Sequence, residues 1–158
     1  MGFRDSDEWQ LGREGERIVK QGLASQGFAQ VPTADIANGG APTLDSSTGS
    51  SVLPDILGFR PDCRAWFEVK TKSRATFNQS RQRWEHGIPL RLWEHYQRVQ
   101  RDTSTPVYLV IVQCNPPKFL MGSLDKIGIG SSIYTGSKMG EPMIFFDHPP
   151  VSGDVNGI

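Results

Sequence analysis

The chain has 158 residues, enough for one domain with a substantial core, and 37% of them are hydrophobic. No apolar run approaches the roughly 18 residues that a membrane-spanning helix needs, and the polar, acidic opening Met1-Gly2-Phe3-Arg4-Asp5-Ser6-Asp7-Glu8 does not read as a secretory signal. Seventeen Lys and Arg balance 17 Asp and Glu, which excludes a uniformly basic coat, and two Cys offer neither a disulfide framework nor a zinc-ligand spacing, so a reducing cytoplasm is the expected setting.

Residues 8–26 predict an amphipathic helix, because Leu11, Gly15, Ile18, Val19, Gly22 and Leu23 recur at helical spacings and Gly27 suits a C-terminal stop. Glu16 lies at the edge of that apolar stripe, where a helix packed on a sheet can aim a carboxylate into a site. The alternative for Glu16 is an i,i+4 pair with Lys20, and Glu14 is the second candidate. Residues 28–31 predict the first strand. Residues 34–51, rich in Gly, Ser and Thr and without periodicity, predict a long flexible loop. A hairpin is expected from strands at 53–59 and 64–71, turning at Pro61-Asp62, with Pro54 at a strand start or bulge.

Residues 72–88 read as irregular, basic and aromatic. Phe77 and Trp84 can stack on nucleobases there, but the favoured role is as apolar anchors that hold a polar loop down. Pro89 suits the first turn of a helix reaching residue 101, whose stripe of Leu92, Trp93, Tyr96 and Val99 assigns Tyr96 to the core. Residues 107–114 are nearly continuous β-branched and aliphatic sequence, as a central strand covered on both faces would be. Short strands are expected around 119–122, 132–134 and 143–146, and a disordered tail over 151–158, which leaves a single domain over 1–150.

The spacing inside the hairpin carries the chemistry. Twelve residues separate Pro54-Asp55 from Glu68-Val69-Lys70. If the strands pair without slipping, Phe59 faces Arg64 and Asp55 lies opposite Glu68. Alternation then places Asp55, Glu68 and Lys70 on one face and Ile56, Phe67 and Val69 on the other. Two facing carboxylates repel. A hard divalent cation relieves the repulsion, and Mg²⁺ takes its oxygens from one or two carboxylates together with phosphate and water. Lys70 stands where it can contact an attacking water or steady charge developing on a phosphate. The plainer alternative, two solvent-facing acids with a salt-bridge lysine, fits poorly with the strongly apolar strands that carry them.

These elements, in this order, resemble the PD-(D/E)xK nuclease superfamily. Gly12-Arg13-Glu14-Gly15-Glu16 is similar to its G-x-x-G-E helix; Asp55 and Glu68-Val69-Lys70 follow on their two strands, then a helix and an apolar strand. The resemblance covers residues 8 to 115 well and 123 to 146 more weakly. It implies a restriction-endonuclease-like α/β fold with a mixed central sheet of about four or five strands flanked by helices. It also implies Mg²⁺, replaceable by Mn²⁺, held by Asp55, Glu68, the Val69 carbonyl and Glu16, with Lys70 orienting or helping to deprotonate the nucleophile.

Charge is unevenly spread. Residues 60–101 hold ten Lys and Arg against four acids, a balance of +6, whereas residues 1–59 balance to −4 and 102–158 to −2. Lys72, Arg74, Arg81, Arg83 and His86 are therefore the expected nucleic-acid contacts, although a structural or surface role is favoured for His86. Together with this basic segment, the resemblance implies a Mg²⁺-dependent DNA endonuclease leaving 5′-phosphate and 3′-hydroxyl ends, with structure-directed cleavage of branched DNA as the leading subclass. RNA stays open as a substrate and a homodimer is admitted. The alternative is a catalytically inactive protein of the same fold that binds nucleic acid or a protein partner.

Overall fold

A computed structural model of the chain describes residues 7–33, 41–115, 117–135, 140–146 and 151–153. Helix α1 (Asp7–Ser25) leads into strand β1 (Ala29–Pro32), a small hairpin of β2 (Thr43–Ser46) and β3 (Gly49–Val52), and a larger one of β4 (Ile56–Arg60) and β5 (Cys63–Lys72). Strands β6 (Thr76–Asn78) and β7 (Arg83–Pro89) precede helix α2 (Leu90–Thr103), followed by β8 (Val107–Cys114), β9 (Pro117–Ser123) and the short α3 (Leu124–Ile127). Strands β10 (Ser132–Tyr134), β11 (Met143–Phe146) and β12 (Val151–Gly153) complete the chain. Among the described residues no helix is long and apolar enough to cross a membrane.

The main sheet runs in the order β1-β4-β5-β8-β9-β12. The β5–β8 pair is parallel and its neighbours are antiparallel, so the sheet is mixed as expected. Its first five strands match the anticipated number, and β12 adds a sixth at the edge. Parallel neighbours need a long crossover, and here it contains β6, β7 and α2. Each face of the sheet carries its own core. On one side, Val19 and Leu23 of α1 meet Ile56, Phe67, Val69 and Val110. On the other, Trp93, Tyr96 and Val99 of α2 meet Trp66, Leu109 and Ile111.

Helix α1 ends where Gly27 takes φ +80°, and the Phe28 N–H then bonds the Leu23 carbonyl at 3.0 Å. Gly15 is required for its packing, since a Cβ there would stand 2.0 Å from the Thr71 hydroxyl oxygen. Pro89, at φ −52°, caps α2 as its ring geometry allows.

Three expectations are corrected. The second half of the presumed loop at 34–51 is the β2–β3 hairpin, tied to α2 through Ser46 and Thr48 on Asp102 at 2.7 and 3.0 Å; residues 34–40 lie outside the described residues. Residues 72–88 are not irregular: β6 and β7 form a hairpin within a second sheet, ordered β10-β11-β7-β6. The buried Glu85 of β7 accepts from Asn78 across on β6 and from Arg83 two residues earlier on its own strand, at 2.7 Å each. Within the expected disordered tail, Val151–Gly153 pair with β9 as an edge strand, while 154–158 lie outside the described residues.

Candidate active site

The β4–β5 register is the unslipped one: Phe59 pairs with Arg64 and Ile56 with Phe67, which sets Asp55 opposite Glu68. Ile56, Phe67 and Val69 enter the core under α1. Glu68 and Lys70, one residue out of phase with them, therefore face the α2 side. Their neighbours on β8, Leu109 and Ile111, belong to the core on that side. Lys70 is ion-paired to Glu68, whose side chain is 2% exposed against 29% for the lysine.

Asp55 sits just before the β4 ladder begins. Its backbone carbonyl accepts from the Thr33 N–H at 2.8 Å, and its carboxylate accepts from the Val69 N–H at 2.8 Å. The side chain thus takes up a strand N–H that the ladder leaves open. A strand residue presents its N–H and C=O to the same edge, so the Val69 carbonyl looks toward Asp55 as well. Two carboxylates and one carbonyl converge on this edge of β5.

The electrostatics follow from burial and from the closeness of the two carboxyls to the amine. Burial, then the neighbouring Glu68 charge, pushes the Asp55 carboxyl up to about 8, against the pull of Lys70 and the Val69 N–H. For Lys70, burial opposes its charge, but Glu68 and Asp55 outweigh it and hold the amine above its usual range. Lys70 is accordingly a firm cation. Tyr96, which the α2 stripe assigns to the core, is buried there, but its hydroxyl also hydrogen-bonds Glu68; burial and the Glu68 charge raise its pKa far above the usual phenol value. No sequence signal separated Tyr96 from its apolar neighbours on α2. The donor set fits a hard divalent cation: oxygen ligands only, two of them carboxylates that repel without one.

Glu16 is placed less favourably. Helix α1 covers the opposite face of the sheet, and the Glu16 carboxylate lies 3.5 Å from Lys20, the i,i+4 pair that the sequence also allowed. It remains close enough to act electrostatically on Asp55 and Lys70. Glu14 is turned to solvent and bonds Arg17 at 2.8 Å. Among the described residues no three His, Cys, Asp or Glu side chains form one group, so Asp55 and Glu68 stand as a pair.

The anticipated basic contacts divide into two sets. Lys72 follows Lys70 on the same face, half-buried, and burial with the Lys70 charge lowers its pKa. Arg74 is exposed in the connection to β6. Arg81 and Arg83 instead clasp the wholly buried Glu85 at 2.8 and 2.7 Å, and Arg81 also bonds Ser132 at 2.9 Å. They neutralise Glu85, and Arg81 ties the β6–β7 turn to β10. His86 is buried, with its Nε2 3.1 Å from Gln113 Oε1 across to β8, which is the structural role favoured for it.

Neither a protein-family model nor a curated protein matches the chain. Among solved structures, it is similar to Hjc, a Holliday junction resolvase from the archaeal hyperthermophile Archaeoglobus fulgidus, at 14% identity and a TM-score of 0.56, with 90% of each chain covered. It is also similar to D212, a nuclease from a fusselovirus, at 10% identity and a TM-score of 0.47, covering 94% of this chain and 85% of that one. The chain shares the fold of that resolvase, the restriction-endonuclease-like α/β fold that its motifs implied.

Proposed function

We propose that this protein is a metal-dependent DNA endonuclease that hydrolyses phosphodiester bonds to 5′-phosphate and 3′-hydroxyl ends, with branched DNA as its preferred substrate. The observation that carries the reading is the convergence of Asp55, Glu68 and Lys70 at one edge of β5, with the Asp55 carboxyl driven up to about 8 by burial and by Glu68. Asp55, Glu68 and the Val69 carbonyl would hold Mg²⁺ or Mn²⁺, with Glu16 adding negative charge nearby. When bound, the cation supplies charge neutralisation for the phosphate and makes water acidic enough to react at neutral pH.

The chain's own groups do the positioning. The Val69 N–H and the buried strand fix the Asp55 carboxylate, and Tyr96 with Lys70 fixes that of Glu68. Lys70, protonated, places a positive charge and a donor beside the phosphate, where charge grows as the water oxygen attacks phosphorus and the bond to the 3′ oxygen breaks. Its raised pKa suits it to orienting the water and steadying the oxyanion rather than to removing a proton. The fold it shares with a junction resolvase supports branched DNA as the substrate to try first.

The test is cleavage of labelled duplex, single-stranded, flap and four-way-junction DNA in Mg²⁺, Mn²⁺ or EDTA, by wild type, Asp55→Ala and Lys70→Ala. Metal-dependent cutting lost in both variants, with 5′-phosphate ends, is expected. Cutting that survives either substitution would overturn the assignment of the site. Salt-sensitive DNA binding without cutting under any metal would overturn the activity.

A further inference from the structure

The β6–β7 hairpin carries a feature that the catalytic reading does not use. Phe77 and Trp84 are a cross-strand pair, with ring centroids 5.2 Å apart and planes tilted by 59°. They are 42% and 53% exposed. Anchors for a polar loop would be buried, so that role does not fit them.

Their placement is informative. Trp84, His86 and Ile88 alternate along one face of β7, and Phe77 shares that face as the partner of Trp84. Ile88 lies in the core on the α2 side of the main sheet, and His86 meets Gln113, the strand partner of Lys72. This face of the hairpin therefore covers the sheet face that bears Glu68, Lys70 and Lys72. Trp84 lies two residues past His86, about 7 Å farther along β7. The aromatic pair thus lies within a few residues of the carboxyl end of β5, since β6 begins four residues after Lys72, and the connection between them carries exposed Arg74 with half-buried Lys72 at its start.

We infer that Phe77 and Trp84 form a stacking platform for unpaired nucleobases of the DNA strand leading into the active site. The inference rests on the nuclease reading above and supplies its preference for single-stranded or branched substrates. Aromatic faces accept any base, and Lys72 and Arg74 beside them match the backbone charge, the combination used by sequence-tolerant single-strand binders. Blunt duplex offers no unstacked base to the pair.

The experiment is equilibrium binding, with Ca²⁺ in place of Mg²⁺, of fluorescein-labelled 20-nucleotide oligo(dT) and of a blunt duplex to wild type and F77A/W84A. The ratio of the two dissociation constants is expected to shift at least ten-fold against oligo(dT), since each stacked base is worth roughly 1–3 kcal/mol. In parallel, oligo(dT) should quench part of the tryptophan emission of wild type, and that part should be missing in W84F, which keeps a ring and needs no refolding. An unchanged ratio with no Trp84-dependent quenching overturns the platform even if metal-dependent cleavage stands. Aromatic-dependent oligo(dT) binding by a protein that cuts nothing would instead leave the platform and remove the nuclease. Conversion of a dimer to a monomer by F77A/W84A, read by sedimentation at matched concentration, would assign the pair to a contact between copies of this chain and overturn the inference.

Discussion

Asp55→Asn should make the metal-free protein more stable. The Asp55 carboxyl is raised from 3.8 to about 8, first by burial and then by Glu68. An acid whose folded pKa exceeds its unfolded value contributes stability that is complete below the unfolded pKa and is lost as pH climbs through the folded one. For Asp55 that window runs from about 3.8 to about 8. At pH 7 the shift converts to an upper bound of about 4 kcal/mol, and relaxation with water entry reduces penalties of this kind severalfold. An amide keeps the acceptor for the Val69 N–H while removing the charge, so a gain of about 1–2 kcal/mol is expected, or roughly 2–8 °C in Tm for a chain of this size.

The assay is a thermal melt of wild type and Asp55→Asn in EDTA at pH 5, 6, 7 and 8. The Tm difference in favour of the variant should widen as pH rises. Saturating Mn²⁺ should reverse the order, because a ligand at about 100 times its Kd adds about 2.7 kcal/mol to wild type and little to the variant. A variant that melts below wild type in EDTA at every pH would refute the reasoning about the buried charge. Equal stabilisation of both proteins by Mn²⁺ would refute Asp55 as a ligand.

Tyr96→Phe removes the hydroxyl on Glu68 but keeps the ring in the core, so the fold should survive while the Mn²⁺ concentration for half-maximal cleavage rises about ten-fold; an unchanged metal titration would confine Tyr96 to packing. Gly15→Ala places a Cβ 2.0 Å from the Thr71 oxygen and should cost about 1–3 kcal/mol in urea melts. Thr71→Ala should restore most of that loss, because the Thr71 hydroxyl has no hydrogen-bond partner among the described residues; additive costs would disprove the contact. Lys72→Ala and Arg74→Ala should each weaken DNA binding and flatten its salt dependence by about one unit of slope, whereas Arg81→Ala should chiefly lower Tm by uncovering Glu85. The reverse pattern would show that the Arg81–Glu85 pair opens to bind DNA.

The β4–β5 hairpin was legible because three independent constraints agreed. The Pro61-Asp62 turn set the register, alternation assigned the faces, and apolar Phe67 and Val69 required burial on the side away from Glu68. The helices and β8 were equally plain from their periodicity. The β6–β7 hairpin was not, because its inward face holds His86 and its other face holds Glu85, both of which read as surface residues in one dimension. Their burial depends on Gln113 and on Arg81 and Arg83 arriving from elsewhere or around a turn. The same limit misjudged the basic segment. A run of positive charge shows where cations are, but not that the two arginines of β6–β7 are already committed to a buried carboxylate.

That commitment bears on how substrate reaches the site. Glu68 is 2% exposed because α2 and the second sheet cover the same face of the main sheet that carries it. Moving along β5, Trp66 and Glu68 lie under the cover, while Lys70 and Lys72 are half-exposed. The opening is thus at the carboxyl end of β5, which is where sheets of this layered kind leave room for ligands. Under the proposed activity, a phosphate entering there would meet Lys72 and Lys70 before the carboxylates, so its charge would be offset before it approached them. Arg81 and Arg83 stand apart from this path, since both are bound to the buried Glu85. Charge in the middle third of the chain therefore divides: Arg81 and Arg83 neutralise a buried carboxylate, while Lys70, Lys72 and Arg74 keep exposure to solvent.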